Sequence, residues 1–313
     1  MTAVDYSPLA RVPGLTLRLS EPLARHTSFR IGGPADAWAE AGDEAQLLAC
    51  LGFARERGVA VTLLAAGTNV LVRDGGVRGL VLSLGGGFEA FTVEGTTVRS
   101  GAAINLALLA RKTALAGLEG LEWAVGIPGS LGGGLVMNAG AHGGELAQVV
   151  RRVGLVLDGR TEALDAQDCG FAYRHSRFKE AAPGSLVLTW AELQLRPAEP
   201  AELKRRMDEA LARRRASQPI DLPNAGCVFK NPQGDSAGRL VEACGLKGLR
   251  RGGAQISPLH ANFVVNTGSA SAEDVLGLMQ DARAAVRERF AVELADEILV
   301  LGEAAGAAQG EAA

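Results

Sequence analysis

The sequence predicts a mixed α+β fold in two parts. Short apolar runs of strand length alternate with amphipathic helical stretches over the first 197 residues, the composition changes between Arg196-Pro197 and Pro200, and helices separated by short strands follow. A length of 313 residues suits two domains of roughly 150 residues each. Hydrophobic residues at 47% and charged residues at 21% are ordinary for a packed chain and exclude disorder over most of it.

The elements follow in order. Residues 29–41 read as a strand around Ile31, Ala35, Ala37, Trp38 and Ala39. From Asp43 to Arg57, the helical spacing of Leu47, Leu48, Leu51 and Ala54 predicts a helix stopped by Gly58. Val59 to Ala66 is a strand ending at Gly67-Thr68-Asn69. Val70-Leu71-Val72, the turn Asp74-Gly75-Gly76 and the strand Leu80 to Leu84 complete a β-α-β-β unit. Phe91-Thr92-Val93 and Thr97-Val98-Arg99 form a hairpin about Glu94-Gly95. Ile104 to Leu118 reads as a helix, and the glycine-dense stretch 120–144 fits neither period. Strands 153–157 and 161–164 meet at Asp158-Gly159, and Leu186 to Leu195 closes the first part.

Pro200 suits a helix start, and Ala201 to Ala216 continues as a charged helix. A Pro-bounded loop spans 218–232, and a short helix, Ala237 to Cys244, is closed by Gly245. A strand spans Phe263 to Asn266. Ser271-Ala272-Glu273-Asp274 resembles a capping box and opens a helix to Phe290. Val292 to Leu301 is a last strand, and 304–313 is expected to be a disordered tail. The domains expected are 1–197, with subdomains 1–84 and 85–197, and 198–303.

Several function classes are excluded. A net charge of −3 argues against a general nucleic-acid binder. No apolar run suits a membrane span, and Met1-Thr2-Ala3-Val4-Asp5 lacks the features of a secretory signal, so no membrane insertion is expected. Cys50, Cys169, Cys227 and Cys244 show no C-x-x-C spacing, which points away from metal and disulfides and toward a reducing cytoplasm. No G-x-G-x-x-G and no Gly-Lys pair occur, so neither a Rossmann fingerprint nor a P-loop is present.

Five segments are candidates for chemistry. The 41 glycines cluster, and clustered glycine marks positive φ or close backbone approach. Gly67-Thr68-Asn69 at a strand end is either a plain β-turn or an anion-binding nest. Gly126-Ile127-Pro128-Gly129-Ser130-Leu131-Gly132-Gly133-Gly134 is either a loop packed on a helix or a bare backbone for a flat or charged ligand, with Ser130 as a donor. Arg174, among Phe171, Tyr173 and Phe178, is either solvated on a hairpin or a guanidinium facing a carboxylate. Cys227 follows Gly226 in a loop; a lone cysteine is ordinarily a small buried hydrophobe, the reading given to Cys50, Cys169 and Cys244. Glu297 interrupts an apolar strand, where a carboxylate facing a sheet edge is the plain alternative.

Taken in order, eight segments resemble the UDP-N-acetylenolpyruvoylglucosamine reductase family. They run from His26-Thr27-Ser28-Phe29-Arg30-Ile31-Gly32-Gly33-Pro34-Ala35 through Gly67 to Leu71, Gly126 to Ser130, Tyr173 to Phe178 and Ala225 to Pro232. Gly252-Gly253-Ala254-Gln255 with His260-Ala261-Asn262-Phe263, and then Leu294 to Glu297, complete the series. The resemblance implies a two-part FAD-binding domain of the vanillyl-alcohol-oxidase/PCMH type and a C-terminal α/β substrate domain. The chain is similar to the family's shorter subtype, without a substrate-capping insertion. It further implies FAD as cofactor, NADPH as co-substrate, a UDP-N-acetylglucosamine enolpyruvate substrate, a cytoplasmic role in peptidoglycan synthesis, and a monomer.

In that reading, reduced flavin N5 gives a hydride to C3 of the enolpyruvyl group, and C2 is protonated. The resemblance assigns Arg174 to the substrate carboxylate, Glu297 to polarising it as the protonated acid, and Cys227 to donating the proton, where most members carry serine. It assigns Gly67, Thr68, Asn69, Gly126, Ile127, Pro128, Gly129, Ser130 and Gly140 to FAD. Arg214 is assigned beside the flavin, with a solvated arginine in the run 213–215 as the alternative. Tyr173, Arg174 and Asn231 are assigned to substrate. Two rival functions are a flavin oxidase passing electrons to O2 and a nucleotide-sugar binder without turnover.

Overall fold

The computed structural model describes residues 4–141 and 143–306. The expected tail falls outside these residues from 307 on, as do the first three residues of the signal test, whereas residues 305 and 306 form a turn. Two compact units divide the chain. One comprises Met1–Leu19, Ala37–Ala66 and Gly79–Arg214, and the other Ser20–Asp36, Gly67–Arg78 and Arg215–Ala313. This division differs from a single cut near residue 197. The early segments 20–36 and 67–78 belong with the C-terminal part because their apolar residues do: Phe29, Ile31 and Leu71 share one core with Val228, Leu240, Leu278 and Ile298.

The first unit holds two apolar cores. A four-stranded sheet has the order Thr16–Pro22, Pro34–Ala41, Val77–Leu84, Val61–Leu63, with the last two strands parallel. Helix α1 (Glu44–Arg57) packs Leu47, Cys50, Leu51 and Ala54 against Ala37, Ala39, Leu80 and Leu82. Its ends follow the sequence signals. Asp43 accepts the Gln46 N–H at 2.8 Å, and Gly58 at φ +63° closes the last turn. Strand Pro34–Ala41 starts later than expected, since Gly33 lies against the Asp74–Gly76 turn, where a Cβ would stand 2.2 Å from the Asp74 carbonyl oxygen.

The second core lies on a five-stranded antiparallel sheet with the order Arg160–Asp165, Val150–Leu157, Leu186–Gln194, Thr97–Gly101, Phe91–Glu94. Helices α2 (Leu106–Leu115) and α3 (Leu131–Val136) bury Leu106, Leu109, Leu131 and Leu135 with Val153, Leu188 and Leu193. Helix α2 is shorter than its apolar pattern, because Asn105 caps its start and accepts the Leu108 N–H at 2.9 Å. Helix α4 (Pro200–Ser217) turns Leu203, Met207 and Ala210 inward at helical spacing, and its Arg206 pairs with Glu119, Glu122 and Glu202.

In the second unit, strands Arg250–Arg251, Ala254–Ile256 and Val264–Asn266 form an antiparallel sheet. Helices α5 (Ala237–Ala243) and α6 (Ala272–Phe290) cover it with Leu240, Val241, Val275, Leu278, Ala282 and Val286. The capping box forms: Asp274 N–H donates to Ser271 Oγ, and Ser271 N–H to Asp274 Oδ2, both at 3.0 Å. The Asp74 carboxylate adds to this start, accepting the Ala272 N–H at 3.0 Å. The expected β-α-β-β unit does not close locally. Val70–Val72 pairs instead in parallel with Leu299–Leu301, the only regular part of the expected strand 292–301. Among the described residues, no helix is long and apolar enough to cross a membrane.

Candidate active site

Within the second unit, four extended segments from distant parts of the chain lie side by side. Asn69 anchors the first: its carbonyl accepts the Leu299 N–H at 2.9 Å, and its Nδ2 donates to the Glu297 carbonyl at 3.2 Å. Glu297 N–H in turn donates to the Val228 carbonyl at 2.9 Å, and Lys230 N–H to the Ala295 carbonyl at 2.8 Å. On the far side, Val228 N–H donates to the Asn262 carbonyl at 2.9 Å, and Cys227 bridges Phe263. The structure thus brings Gly67-Thr68-Asn69, Glu297 and Cys227 onto neighbouring segments. Cys227 and Glu297 are both half-buried.

The Gly67 turn has no room for a side chain. Gly67 has φ +58°, and a Cβ would lie 2.1 Å from the His26 carbonyl oxygen. Ser28 lies beside it, donating its N–H to the Gly67 carbonyl at 3.1 Å and its hydroxyl to the Asn224 carbonyl at 2.6 Å. Asn231 is exposed, and its Oδ1 accepts the Ala237 N–H at 3.1 Å.

The remaining candidates belong to the first unit. Ser130 caps α3, accepting the Gly133 N–H at 3.2 Å, which leaves the hydroxyl proton free to donate elsewhere. Gly129 has φ +117°. Arg214 is half-buried while Arg213 and Arg215 are exposed, and its Cδ lies 3.2 Å from where a Gly126 Cβ would stand. Other glycines of the cluster have packing reasons. Gly134 makes room for Leu146 and Gly144 for the Trp123 ring, and Gly140 backs onto Gly144.

Tyr173 and Arg174 form the two-residue tip of a tight hairpin whose Ala172 and His175 exchange backbone hydrogen bonds at 3.0 and 3.1 Å. Arg174 has φ +54° and is half-buried, and its guanidinium stands 5.9 Å from the Tyr173 ring centre. Tyr173 itself is 82% exposed. Asn138 fastens the hairpin through Nδ2 to the Ala172 carbonyl at 3.1 Å, and Ser176 Oγ donates to the Val136 carbonyl at 2.7 Å. Cys50 and Cys169 are fully buried, and burial pushes their thiols up to about 12 and about 11.

A family model for the UDP-N-acetylenolpyruvoylglucosamine reductase C-terminal domain matches residues 218–301, and one for an FAD binding domain matches 35–165. A UDP-N-acetylenolpyruvoylglucosamine reductase 2 of Symbiobacterium thermophilum is 50% identical over 295 residues, covering 94% of this chain and 94% of the relative. The chain belongs to the UDP-N-acetylenolpyruvoylglucosamine reductase family. The reductase of Heliobacterium modesticaldum is 44% identical over 93% of this chain and 92% of its own. The crystal structure of the Thermus caldophilus reductase matches with a TM-score of 0.78 at 36% identity, over 92% of this chain and 99% of that chain. As a member of this reductase family with an FAD binding domain, the protein is an FAD-dependent oxidoreductase of α+β fold. The left-handed turn at Gly67 in the second unit, and the hydroxyl proton of Ser130 in the first, each suit a phosphate of such a group.

Sequence reasoning assigned no role to Asn262 or His260. The signals for Asn262 are an amide inside an apolar run and its place in the family-like segment His260-Ala261-Asn262-Phe263. His260 Nδ1 accepts the Asn262 N–H at 3.2 Å, and burial lowers the ring's pKa below its ordinary value. Lys247 lowers it further, while a backbone hydrogen bond and Glu242 oppose the shift. Protonation puts a proton on the accepting atom, so the folded state prefers the neutral ring, whereas the unfolded chain protonates near about 6.5. This contribution to stability is present above about pH 6.5 and is lost as pH falls through the lowered folded value. Denaturant midpoints taken from pH 8 to 5 should decline at the acid end. His260→Asn, whose Oδ1 replaces the Nδ1 acceptor, should decline less; equal slopes would remove His260 from the explanation.

Proposed function

We propose that this protein reduces the enolpyruvyl ether of UDP-N-acetylenolpyruvoylglucosamine to UDP-N-acetylmuramate, drawing electrons from NADPH, in the cytoplasmic stage of peptidoglycan precursor synthesis. Support comes first from family membership over 94% of the chain. The structural observation that carries it is the hydrogen bond from Glu297 N–H to the Val228 carbonyl, which sets an acidic side chain beside the Cys227 segment. When bound, FAD supplies the hydride chemistry, accepting from NADPH and delivering to C3 of the enolpyruvyl group.

The residues have separate tasks. Arg174 stabilises the negative charge that builds on the substrate carboxylate as C3 is reduced. Glu297 acts on the same carboxylate as a neutral acid. Cys227 gives its proton to C2; an ordinary thiol titrates near about 8.5 and releases a proton far more readily than a hydroxyl. Gly67, Thr68 and Asn69 serve the pyrophosphate, and Gly126 to Ser130, with Gly140 and Arg214, serve the pyrophosphate and flavin. Tyr173 and the Asn231 amide serve the substrate. Functionally, 1–197 is the cofactor part, with subdomains 1–84 and 85–197, and 198–303 the substrate part of a monomeric enzyme.

The test is spectroscopic. Without oxygen, NADPH should bleach the flavin band of the purified protein, and the enolpyruvyl substrate should restore it. Recovery with O2 and peroxide release, but none with the substrate, would favour an oxidase and overturn this reading.

A further inference from the structure

Asn262 is 1% exposed, and its neighbours Ala261, Phe263 and Val264 are buried apolar residues. Both ends of its amide are used on a single residue. Oδ1 accepts the Phe229 N–H at 3.0 Å, and Nδ2 donates to the Phe229 carbonyl at 2.8 Å. Its own carbonyl takes the Val228 N–H at 2.9 Å. The segment after Cys227 is therefore paired on one side with Ala295 and Glu297 through backbone alone. On the other it depends at Phe229 on one side chain that imitates a strand.

Burying an amide is unfavourable unless every polar atom is paired, and a fully paired amide fixes one arrangement where apolar packing tolerates several. The arrangement that is fixed here is that of the residue after next to Cys227. The residue before Cys227 is held locally: Gly226, at φ +81° with open space where a Cβ would stand, donates its N–H to Asn224 Oδ1 at 2.9 Å, and Cys227 itself bridges Phe263. The Asn262 clamp lies two residues beyond the thiol, and together with that bridge it sets where the thiol stands.

We propose that Asn262 is a positioning residue for proton delivery, holding the Cys227–Phe229 segment in the one register that presents the thiol to C2 of the substrate. The inference rests on the reading of Cys227 as the proton donor, and it gives the His260-Ala261-Asn262-Phe263 motif a task in the reaction.

Two substitutions in the full-length, FAD-loaded enzyme test it by stopped flow, with each half-reaction followed separately. Asn262→Ala should leave flavin reduction by NADPH unchanged and slow reoxidation by the enolpyruvyl substrate about 10- to 100-fold, the scale of a misplaced reacting group. Asn262→Asp keeps the acceptor for the Phe229 N–H but, when ionised, sets an oxygen against the Phe229 carbonyl. When protonated it regains a donor, and burial favours that form. Its reoxidation rate, relative to the unsubstituted enzyme, should therefore recover as pH is lowered from 8 to 6, while that of Asn262→Ala stays flat.

A purely structural role predicts that both half-reactions and flavin content fall together, and recover together in Asn262→Asp as pH is lowered; that result overturns the proposal. If Asn262→Ala does not fold, confinement of the pH recovery of Asn262→Asp to reoxidation decides alone. Cys227→Ala separates the two levels. Normal reoxidation in Cys227→Ala removes the donor assignment and this inference with it. Slow reoxidation in Cys227→Ala beside normal reoxidation in Asn262→Ala removes this inference only.

Discussion

Cys227→Ala should reduce its flavin with NADPH at the normal rate and then reoxidise about a hundredfold more slowly, or worse, when the enolpyruvyl substrate is added. Loss of a positioned general acid costs about 10²- to 10⁴-fold in the step that uses it. The effect should be confined to that step because Cys227 is held through its backbone. Val228 bonds Asn262 on one side and Glu297 on the other, and neither bond involves the sulfur. The side chain is half-buried, so its removal leaves little void. Cys227→Ser restores an O–H at the same place and should keep much of the activity. Equal slowing of both half-reactions in Cys227→Ala would show that the residue supports the fold or the flavin, and the donor role would then be lost.

The largest structural effect is expected at Gly67. Gly67→Ala sets a Cβ 2.1 Å from the His26 carbonyl oxygen and 2.9 Å from Thr27 Cα, both backbone atoms. That backbone cannot retreat easily. Ser28 N–H is bonded to Gly67, Thr27 Oγ1 to the Ile31 carbonyl at 3.0 Å, and the His26 ring to the nearly buried Glu21 at 3.0 Å. A positive φ for alanine costs about 1 kcal/mol, and overpacking against fixed atoms adds about 1–3 kcal/mol, giving about 2–4 kcal/mol in all. Gly95→Ala is the control: φ is +60°, yet nothing lies within 4 Å of its Cβ position. Chemical denaturation should show Gly67→Ala well below Gly95→Ala, and only the former should lose flavin on gel filtration. Equal stability of the two would mean that the His26–Ser28 backbone yields.

What the sequence discloses here is what is decided locally. The ends of α1 and α6 follow from Asp43, Gly58 and the Ser271–Asp274 pair, because a cap is a contact between residues three or four apart. The hairpins at Glu94-Gly95 and Asp158-Gly159 are disclosed for the same reason. Strand partners are not. Val70-Leu71-Val72 has the same apolar pattern whether it pairs with its neighbours or with Leu299–Leu301, and the difference lies in residues far along the chain. Glycine clusters were ambiguous too. Gly144, which faces an indole ring, and Gly67, which faces backbone, are alike as letters. The site residues 67–69, 227 and 297 come from three separated stretches, so only resemblance to a family joined them. Asn262 was overlooked because a buried amide is recognised by its partners, and these lie 33 positions away at Phe229.

The pairing of Val70–Val72 with Leu299–Leu301 also sets an order of events during synthesis. Asn69 and Glu297 are 228 positions apart, so at about 5–20 residues per second the early strand waits roughly 10–45 s for its mate to leave the ribosome. Until then it offers an open edge to any other β-strand, nascent or foreign. A message truncated just before the codon for Leu299 therefore yields a protein whose defect appears about 230 residues upstream of the stop, at the strand that follows the Gly67 turn.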